Sequence, residues 1–481
     1  MIKFRPILLT IGALLCALAA AMLIPAAVDA SMGNANWLVF FTSALITFFF
    51  GGMLVLTNWS DDRFRFGIRE GFLLTTTSWL TLSLFASIPF IGLGLSVADA
   101  VFEAMSGLTT TGATVLTKLE SLPRGILLWR ALLQAIGGIG VIVMALVVLP
   151  FLRVGGMQLF QTESSERSEK VLPRAAEIVT ATVGIYLALM LACMTLFLIF
   201  GMTPFDAVCH AMSTVSTGGF STHDESFGFF PSAALHWTAI GFMLVGGLPF
   251  VLLIQALRGQ PLALWRDAQV RGFLALLMLV TLIMTLWLLA NREIEFEEAL
   301  RLSAFNVVSI GTTAGFATSD YTAWGPFAVG VFFVLMFIGG CSGSTTGGIK
   351  IYRLQVAGIM TRSHLLHLMS PNRIVSLAYN NRRLPDDVPF SVIAFLAIYL
   401  ATIGLFTVIL AAMGLDLVTS LSSALTAVSN VGPGLGPIVG PASTFAGLPD
   451  AAKIVLAVAM LLGRLELFTV LVVLRPEFWR S

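Results

Sequence analysis

The sequence predicts an all-α membrane protein, built as an N-terminal helical hairpin followed by four pseudo-symmetric helix–pore loop–helix repeats around one axis. Three observations carry that expectation. Of 481 residues, 57% are hydrophobic and only 11% charged, with a mean hydropathy of +0.93, the composition of an integral membrane protein. Long apolar stretches recur near 7–28, 37–57, 71–93, 125–150, 176–201, 233–257, 272–290, 326–349, 390–413 and 451–474, each close to the about 20 residues that cross a bilayer as a helix. Finally, a short segment ending in glycine appears four times between them.

The first two stretches form the hairpin, residues 1–60. Lys3, Arg5, the apolar run from Ile7 to Val28 and Ala27-Val28-Asp29-Ala30 have the layout of a secretory signal. The run is long enough to span, however, and a second stretch from Trp37 to Thr57 follows at once, so a retained membrane helix is expected. The other stretches pair into repeats over residues 70–155, 175–258, 270–360 and 386–475.

Inside each pair lies one glycine segment: Thr109-Thr110-Thr111-Gly112-Ala113, Ser216-Thr217-Gly218-Gly219-Phe220, Gly311-Thr312-Thr313-Ala314-Gly315-Phe316 and Ser429-Asn430-Val431-Gly432-Pro433. Upstream of the aligned glycines stand Ser106, Ser213, Ser309 and Thr426, and three residues earlier Glu103, His210, Asn306 and Ser423. Glycine lets a chain run extended with inward carbonyls where a Cβ would clash. Four such segments around one axis would offer a ring of oxygens that replaces an ion's water. The candidate filter residues are Thr110, Thr111, Gly112, Thr217, Gly218, Gly219, Thr313, Ala314, Gly315, Asn430, Val431 and Gly432. Small residues also gather at tight helix contacts, but four copies in equivalent positions point to a single-chain cation pore. Short helices should lead into the segments: Asp99-Ala-Val-Phe-Glu-Ala-Met-Ser106 nearly repeats as Asp206-Ala-Val-Cys-His-Ala-Met-Ser213, each with an acid suited to a helix N-terminus.

Charge placement sets the orientation. With the N-terminus cytoplasmic, most of the 27 Lys and Arg fall on cytoplasmic segments, as the positive-inside rule requires. They include Arg63, Arg65, Arg69, Arg153, Arg167, Lys170, Arg174, Arg258, Arg266, Arg271, Arg353, Arg362, Arg373, Arg382 and Arg383. Acids such as Asp99, Glu103, Asp206, Asp224, Glu225, Asp320 and Asp416 fall outside, where they would make a cation-attracting vestibule.

Two features lie on the cytoplasmic side of the segments. The run Gly339-Gly340-Cys341-Ser342-Gly343-Ser344-Thr345-Thr346-Gly347-Gly348, followed by Ile349-Lys350, is too rich in glycine to sustain a helix cheaply. It lacks the Gly-Lys-Ser/Thr order of a phosphate-binding loop. A break into an intramembrane loop lying across the ion path is expected. Arg464 sits within an apolar run, where a charge faces a cavity or a partner; it is expected to face the pore, because Glu466, two residues on, points to another helix face. The candidate gating residues are Gly339, Gly340, Gly343, Ser344, Thr345, Gly347, Gly348, Lys350 and Arg464.

Other classes find little support. The four cysteines are isolated and make no metal or disulfide pattern. No cluster of ionisable residues suggests an enzyme, and nothing suggests nucleic-acid binding or an organic cofactor. An alternating-access carrier would show inverted repeats and broken helices in matching halves, whereas these repeats share one orientation and one visible break.

The quoted segments, together with Gly-Gly-Ile-Gly at 137–140, Leu149-Pro150, Gly-Pro-Gly-Leu-Gly at 432–436 and Gly-Ser-Thr-Thr-Gly-Gly-Ile-Lys at 343–350, resemble the Trk/Ktr/HKT superfamily of K⁺ transporters across essentially the whole chain. The extra hairpin is similar to the Trk branch. The resemblance implies a homodimer in the bacterial inner membrane with both termini cytoplasmic, passing K⁺ (and usually Rb⁺) inward. It further implies regulation by a cytosolic nucleotide-binding subunit of the TrkA kind. Carbonyls around the four glycines would coordinate the ion, segment 339–348 would be the gating loop, and Arg464 the arginine beside it. Proton-coupled symport and a less selective monovalent cation transporter are the alternatives. Two departures bear on selectivity: Gly311 where related chains often carry a hydroxyl residue, and Asn430-Val431 in place of threonine.

Overall fold

In the computed structural model, residues 2–60, 67–147, 171–373, 376–380, 382–385 and 387–480 are described. Among the described residues the regular elements are helices apart from a two-stranded hairpin, Ala378–Tyr379 against Arg382–Arg383. Helices α1 (Phe4–Ser31) and α2 (Trp37–Asn58) form the expected N-terminal hairpin. Its core merges with the first repeat through Leu15, Met22, Phe40, Phe90 and Trp129. The carboxylate of Asp29, at the end of α1, accepts from the amide of Gly125 at 2.8 Å. That bond serves one of the orphan amides that open the helix Arg124–Val147.

Four helix–pore loop–helix repeats follow. Their first helices are α3 (Ile68–Ala86), with a short continuation over Ile88–Gly92, then Val171–Ile199, Ala268–Asn291 and Asp387–Ala412. The pore helices are Val97–Leu108, Pro204–Val215, Phe296–Gly311 and Leu417–Ser429, of 12, 12, 16 and 13 residues, too short to cross a bilayer. Three start on the same side-chain cap: Ser96 accepts from the Asp99 amide, Thr203 from that of Asp206, and Asp416 from that of Thr419. In the first two, the hydroxyl also donates back to the carboxylate, at 2.9 and 2.7 Å, a variant of the capping box.

The second helices depart from expectation. Only that of the first repeat, Arg124–Val147, is unbroken over its described length. The stretch 233–257 is not one continuous helix: it divides into Ala233–Gly246 and Phe250–Leu257, bent by 102°, because Pro249 has no amide to continue the ladder and disfavours helix in Leu248 before it. The stretch 326–349 stops as a helix at Leu335, as the glycines predict, and helix resumes over Ile351–Met369. The stretch 451–474 divides into Asp450–Arg464 and Phe468–Val473, with Glu466 and Leu467 at positive φ. Breaks thus occur in three repeats, where the sequence signals one. Among the described residues seven helices are long and apolar enough to cross a membrane, and the bent pair adds an eighth. Leu149-Pro150, Arg63, Arg65, Arg153, Arg167 and Lys170 lie outside the described residues.

Candidate functional site

Each pore helix ends in the same turn. The amides of Thr111, Gly218, Ala314 and Val431 reach back to the carbonyls of Ser106, Ser213, Ser309 and Thr426 at 2.9, 2.8, 2.8 and 3.0 Å. Those of Thr110, Thr217, Thr313 and Asn430 reach the carbonyls of Gly107, Thr214, Ile310 and Ala427 at 3.0 to 3.3 Å. These two bonds define the Schellman C-cap, which places one residue in the left-handed region. That residue is usually glycine; here it is threonine three times and asparagine once, at φ 51°, 51°, 56° and 54°. A left-handed residue other than glycine costs about 1–3 kcal/mol, and three of these four are β-branched, so four in register mark a constrained site. Two residues on, Gly112, Gly219, Gly315 and Gly432 again have positive φ, of 85°, 82°, 78° and 109°.

The four turns form a closed ring. A Cβ on Gly112 would lie 2.2 Å from the Gly218 carbonyl oxygen, one on Gly219 2.0 Å from that of Ala314, one on Gly315 2.1 Å from that of Val431, and one on Gly432 2.7 Å from that of Thr111. Every repeat therefore presses its glycine against the carbonyl just before the next repeat's glycine, and the fourth returns to the first. Gly112, Gly219, Gly315 and Gly432 together line one open-mouthed cavity.

Behind the ring, Glu103, His210 and Asn306 tie three of the four pore helices to the extended segment that leaves them. Glu103 accepts from the Val115 amide at 3.0 Å and the Thr114 hydroxyl at 2.9 Å. His210 meets the Ser221 hydroxyl at 2.9 Å, and Asn306 donates to that of Thr318 at 2.8 Å. The hydroxyl of Ser423 has no partner. Glu103 is fully buried and bonded to Arg130 at 2.7 Å, so it adds no free charge to the vestibule. Asp99 is paired with Lys453 at 2.6 Å, and Asp224 caps the amides of Lys118 and Leu119. The acids expected to attract cations are thus partly spent on holding loops.

Sequence reasoning missed Arg130 and Gln134. Arg130 also donates to the Ser221 carbonyl at 2.8 Å and lies 4.1 Å over the Phe220 ring. Gln134 bonds both Gly218 and Phe220.

The glycine-rich loop packs directly against the ring. The Gly347 amide donates to the Thr313 hydroxyl at 2.7 Å, the Thr345 and Thr217 hydroxyls meet at 3.0 Å, and a Cβ on Gly347 would lie 2.2 Å from the Ser429 carbonyl. Its other anchor is the break in the second repeat: the Cys341 and Thr345 amides donate to the carbonyls of Gly247 and Gly246 at 3.0 and 3.2 Å. Gly339 donates to Ile349 at 2.9 Å, Gly340 to the Thr346 hydroxyl at 3.1 Å, and Ser344 to the Cys341 carbonyl at 2.6 Å. Gly343 and Gly348 take positive φ. Lys350 folds back onto Thr346 of the same loop.

Arg464 is buried and donates from Nη1 to the Thr345 carbonyl at 2.8 Å, while Nε and Nη2 have no partner among the described residues. It does not pair with Glu466. That carboxylate takes Arg353 at 2.5 Å, and Arg353 stacks 3.7 Å over Phe395. Arg353 is thus an internal residue and not part of a cytoplasmic basic face. Arg258, Arg266, Arg271, Arg362 and Arg373 are exposed.

The geometry is that of a strained, four-part ring of backbone oxygens with a loop beneath it. Residues 37–481 match the family model TrkH, described as a cation transport protein. The chain is 46% identical to the Trk system potassium uptake protein TrkI of Halomonas elongata, over 100% of this chain and 98% of that one. It is 37% identical to the Trk system potassium uptake protein TrkH of Vibrio parahaemolyticus, over 100% of both. The crystal structure of the potassium transporter TrkH from Vibrio parahaemolyticus superposes with a TM-score of 0.92 at 36% identity, covering 100% of each chain. A multi-pass membrane chain of this architecture, matched by that model over almost its full length, belongs to the TrkH cation transport protein family.

Proposed function

We propose that this chain takes up K⁺ across the bacterial inner membrane, with both termini in the cytoplasm. The observation that carries the reading is the closed ring at Gly112, Gly219, Gly315 and Gly432, each glycine abutting the next repeat's carbonyl. Backbone oxygens of residues 110–112, 217–219, 313–315 and 430–432 replace the ion's hydration water. The relatives' names, potassium uptake proteins of Trk systems, favour K⁺ as the cargo.

The loop 339–348, with Lys350 after it, acts as the gate. In the closed state it sits against the ring, and Arg464 adds an electrostatic barrier to a cation. The chain works as a homodimer, and a cytosolic nucleotide-binding subunit moves the loop through Lys350 and the helix Ile351–Met369. The relatives' designation as members of a Trk system supports a partner.

Purified protein in liposomes, loaded with K⁺ and supplied with tracer Rb⁺, tests the reading. Uptake that is competed by external K⁺ far better than by Na⁺ is expected, with and without an imposed proton gradient. Equal competition by both ions would overturn it, and uptake only with the gradient would favour symport.

A further inference from the structure

In each repeat a residue of the second helix, or the one just past its end, stands three positions before a glycine: Gln134 before Gly137, Met243 before Gly246, Met336 before Gly339 and Met460 before Gly463. All four side chains are fully buried. Three are methionines, apolar fillers of irregular space; the first repeat alone has an amide there. That amide crosses into the second repeat and straddles Gly219. Its Nε2 donates to the Gly218 carbonyl at 2.5 Å, and its Oε1 accepts from the Phe220 amide at 3.1 Å. A Cβ on Gly218 would lie 2.4 Å from Gln134 Cδ. The second repeat therefore has glycine where the others carry Thr111, Ala314 and Val431, because the amide fills the side-chain space.

We infer that Gln134 is a positioning residue that sets ion specificity, by fixing the Gly218 carbonyl and the Phe220 amide on either side of Gly219. The inference rests on the reading of this ring as the ion filter. Na⁺ is smaller than K⁺, so carbonyls must close inward to hold it as well as water does. The Gly218 carbonyl can do so only by breaking a buried bond, whose donor would be left unsatisfied. Apolar volume alone does not call for an amide here, since methionine stands at the corresponding sequence position in the other three repeats.

The test uses the full chain in liposomes and reads the ratio of Rb⁺ to Na⁺ tracer uptake, which does not depend on the fraction of protein folded. Gln134→Met and Gln134→Leu should each retain Rb⁺ uptake while the ratio falls about fivefold, the factor one hydrogen bond represents. The double variant Gln134→Met with Gly218→Ala, which rebuilds the second repeat on the pattern of the third, should fall likewise. An unchanged ratio in the Gln134 variants, with a lowered ratio in Gly315→Ser, would overturn the role of Gln134 and leave the filter standing. An unchanged ratio in Gly315→Ser as well would overturn both.

Discussion

The Gly347 amide donates to the Thr313 hydroxyl at 2.7 Å, joining the glycine-rich loop to the left-handed turn of the third repeat. Thr313 sits at φ 56°, a conformation that persists only when its surroundings hold it. The loop is one of those surroundings. Ring and loop are therefore mechanically one unit, and the loop cannot leave without releasing part of the ring's support.

Thr313→Val keeps the branched shape but removes the acceptor and strands the Gly347 amide. One buried orphan of this kind costs about 1–3 kcal/mol, enough to bias the loop about tenfold away from its closed position. Partner-free Rb⁺ uptake should rise by roughly that factor, measured on liposomes of matched protein content. Unaltered uptake would remove this bond from the gate.

Gly315→Ser places a Cβ about where the Val431 carbonyl oxygen stands, at 2.1 Å, and forces a residue with a side chain to take φ 78°. The backbone of two repeats must shift together. The Rb⁺-over-Na⁺ ratio should drop about tenfold or more if two carbonyls leave their positions. An unchanged ratio in well-folded protein would argue strongly against the filter.

Arg464→Ala removes the bond to the Thr345 carbonyl at 2.8 Å together with a positive charge next to the ion path. In the proposed gate, a partial deletion within 339–348 removes the barrier itself. Each change should raise partner-free flux, and the two together should exceed neither by much, because both act on one barrier. Additive effects would place Arg464 elsewhere in the mechanism.

Glu103→Ala leaves Arg130 buried and charged with its carboxylate gone. Breaking such a pair costs about 3–5 kcal/mol, whereas replacing both partners with apolar residues is far milder. Thermal unfolding in detergent should show Glu103→Ala well below the double variant Glu103→Leu with Arg130→Met. The reverse order would show that the pair is not held as an ion pair.

Neutralising Arg362, Arg373, Arg382 and Arg383 together should weaken co-purification of the proposed nucleotide-binding subunit at moderate salt, where surface charges still attract. Retention at wild-type level would exclude this stretch from docking.

The parts of the fold written in apolar runs and glycines could be read in advance. The hairpin, the four short pore helices and the break at 339–348 follow from hydropathy, from Asp99 and Asp206 at helix starts, and from a run that disfavours helix. The break at Glu466 and Leu467 could not, since neither residue is a helix breaker and the bend depends on Arg353 holding Glu466 from another repeat. Likewise Arg130 and Gln134 carry no local signal; each acts across a repeat boundary. The one hint lay in comparing repeats, where Gln134 stands against three methionines.

The ring's last joint has a temporal meaning. Asn430 donates to the Thr111 hydroxyl at 2.9 Å across 319 positions of sequence, and Gly432 closes on the Thr111 carbonyl. Contacts so distant along the chain form late, because a long loop must close before they repay its entropy. During synthesis the first three turns emerge without the fourth, so the nascent protein holds an open arc and no sized aperture. The ring closes only when the fourth turn, at Asn430 and Gly432, arrives to complete it.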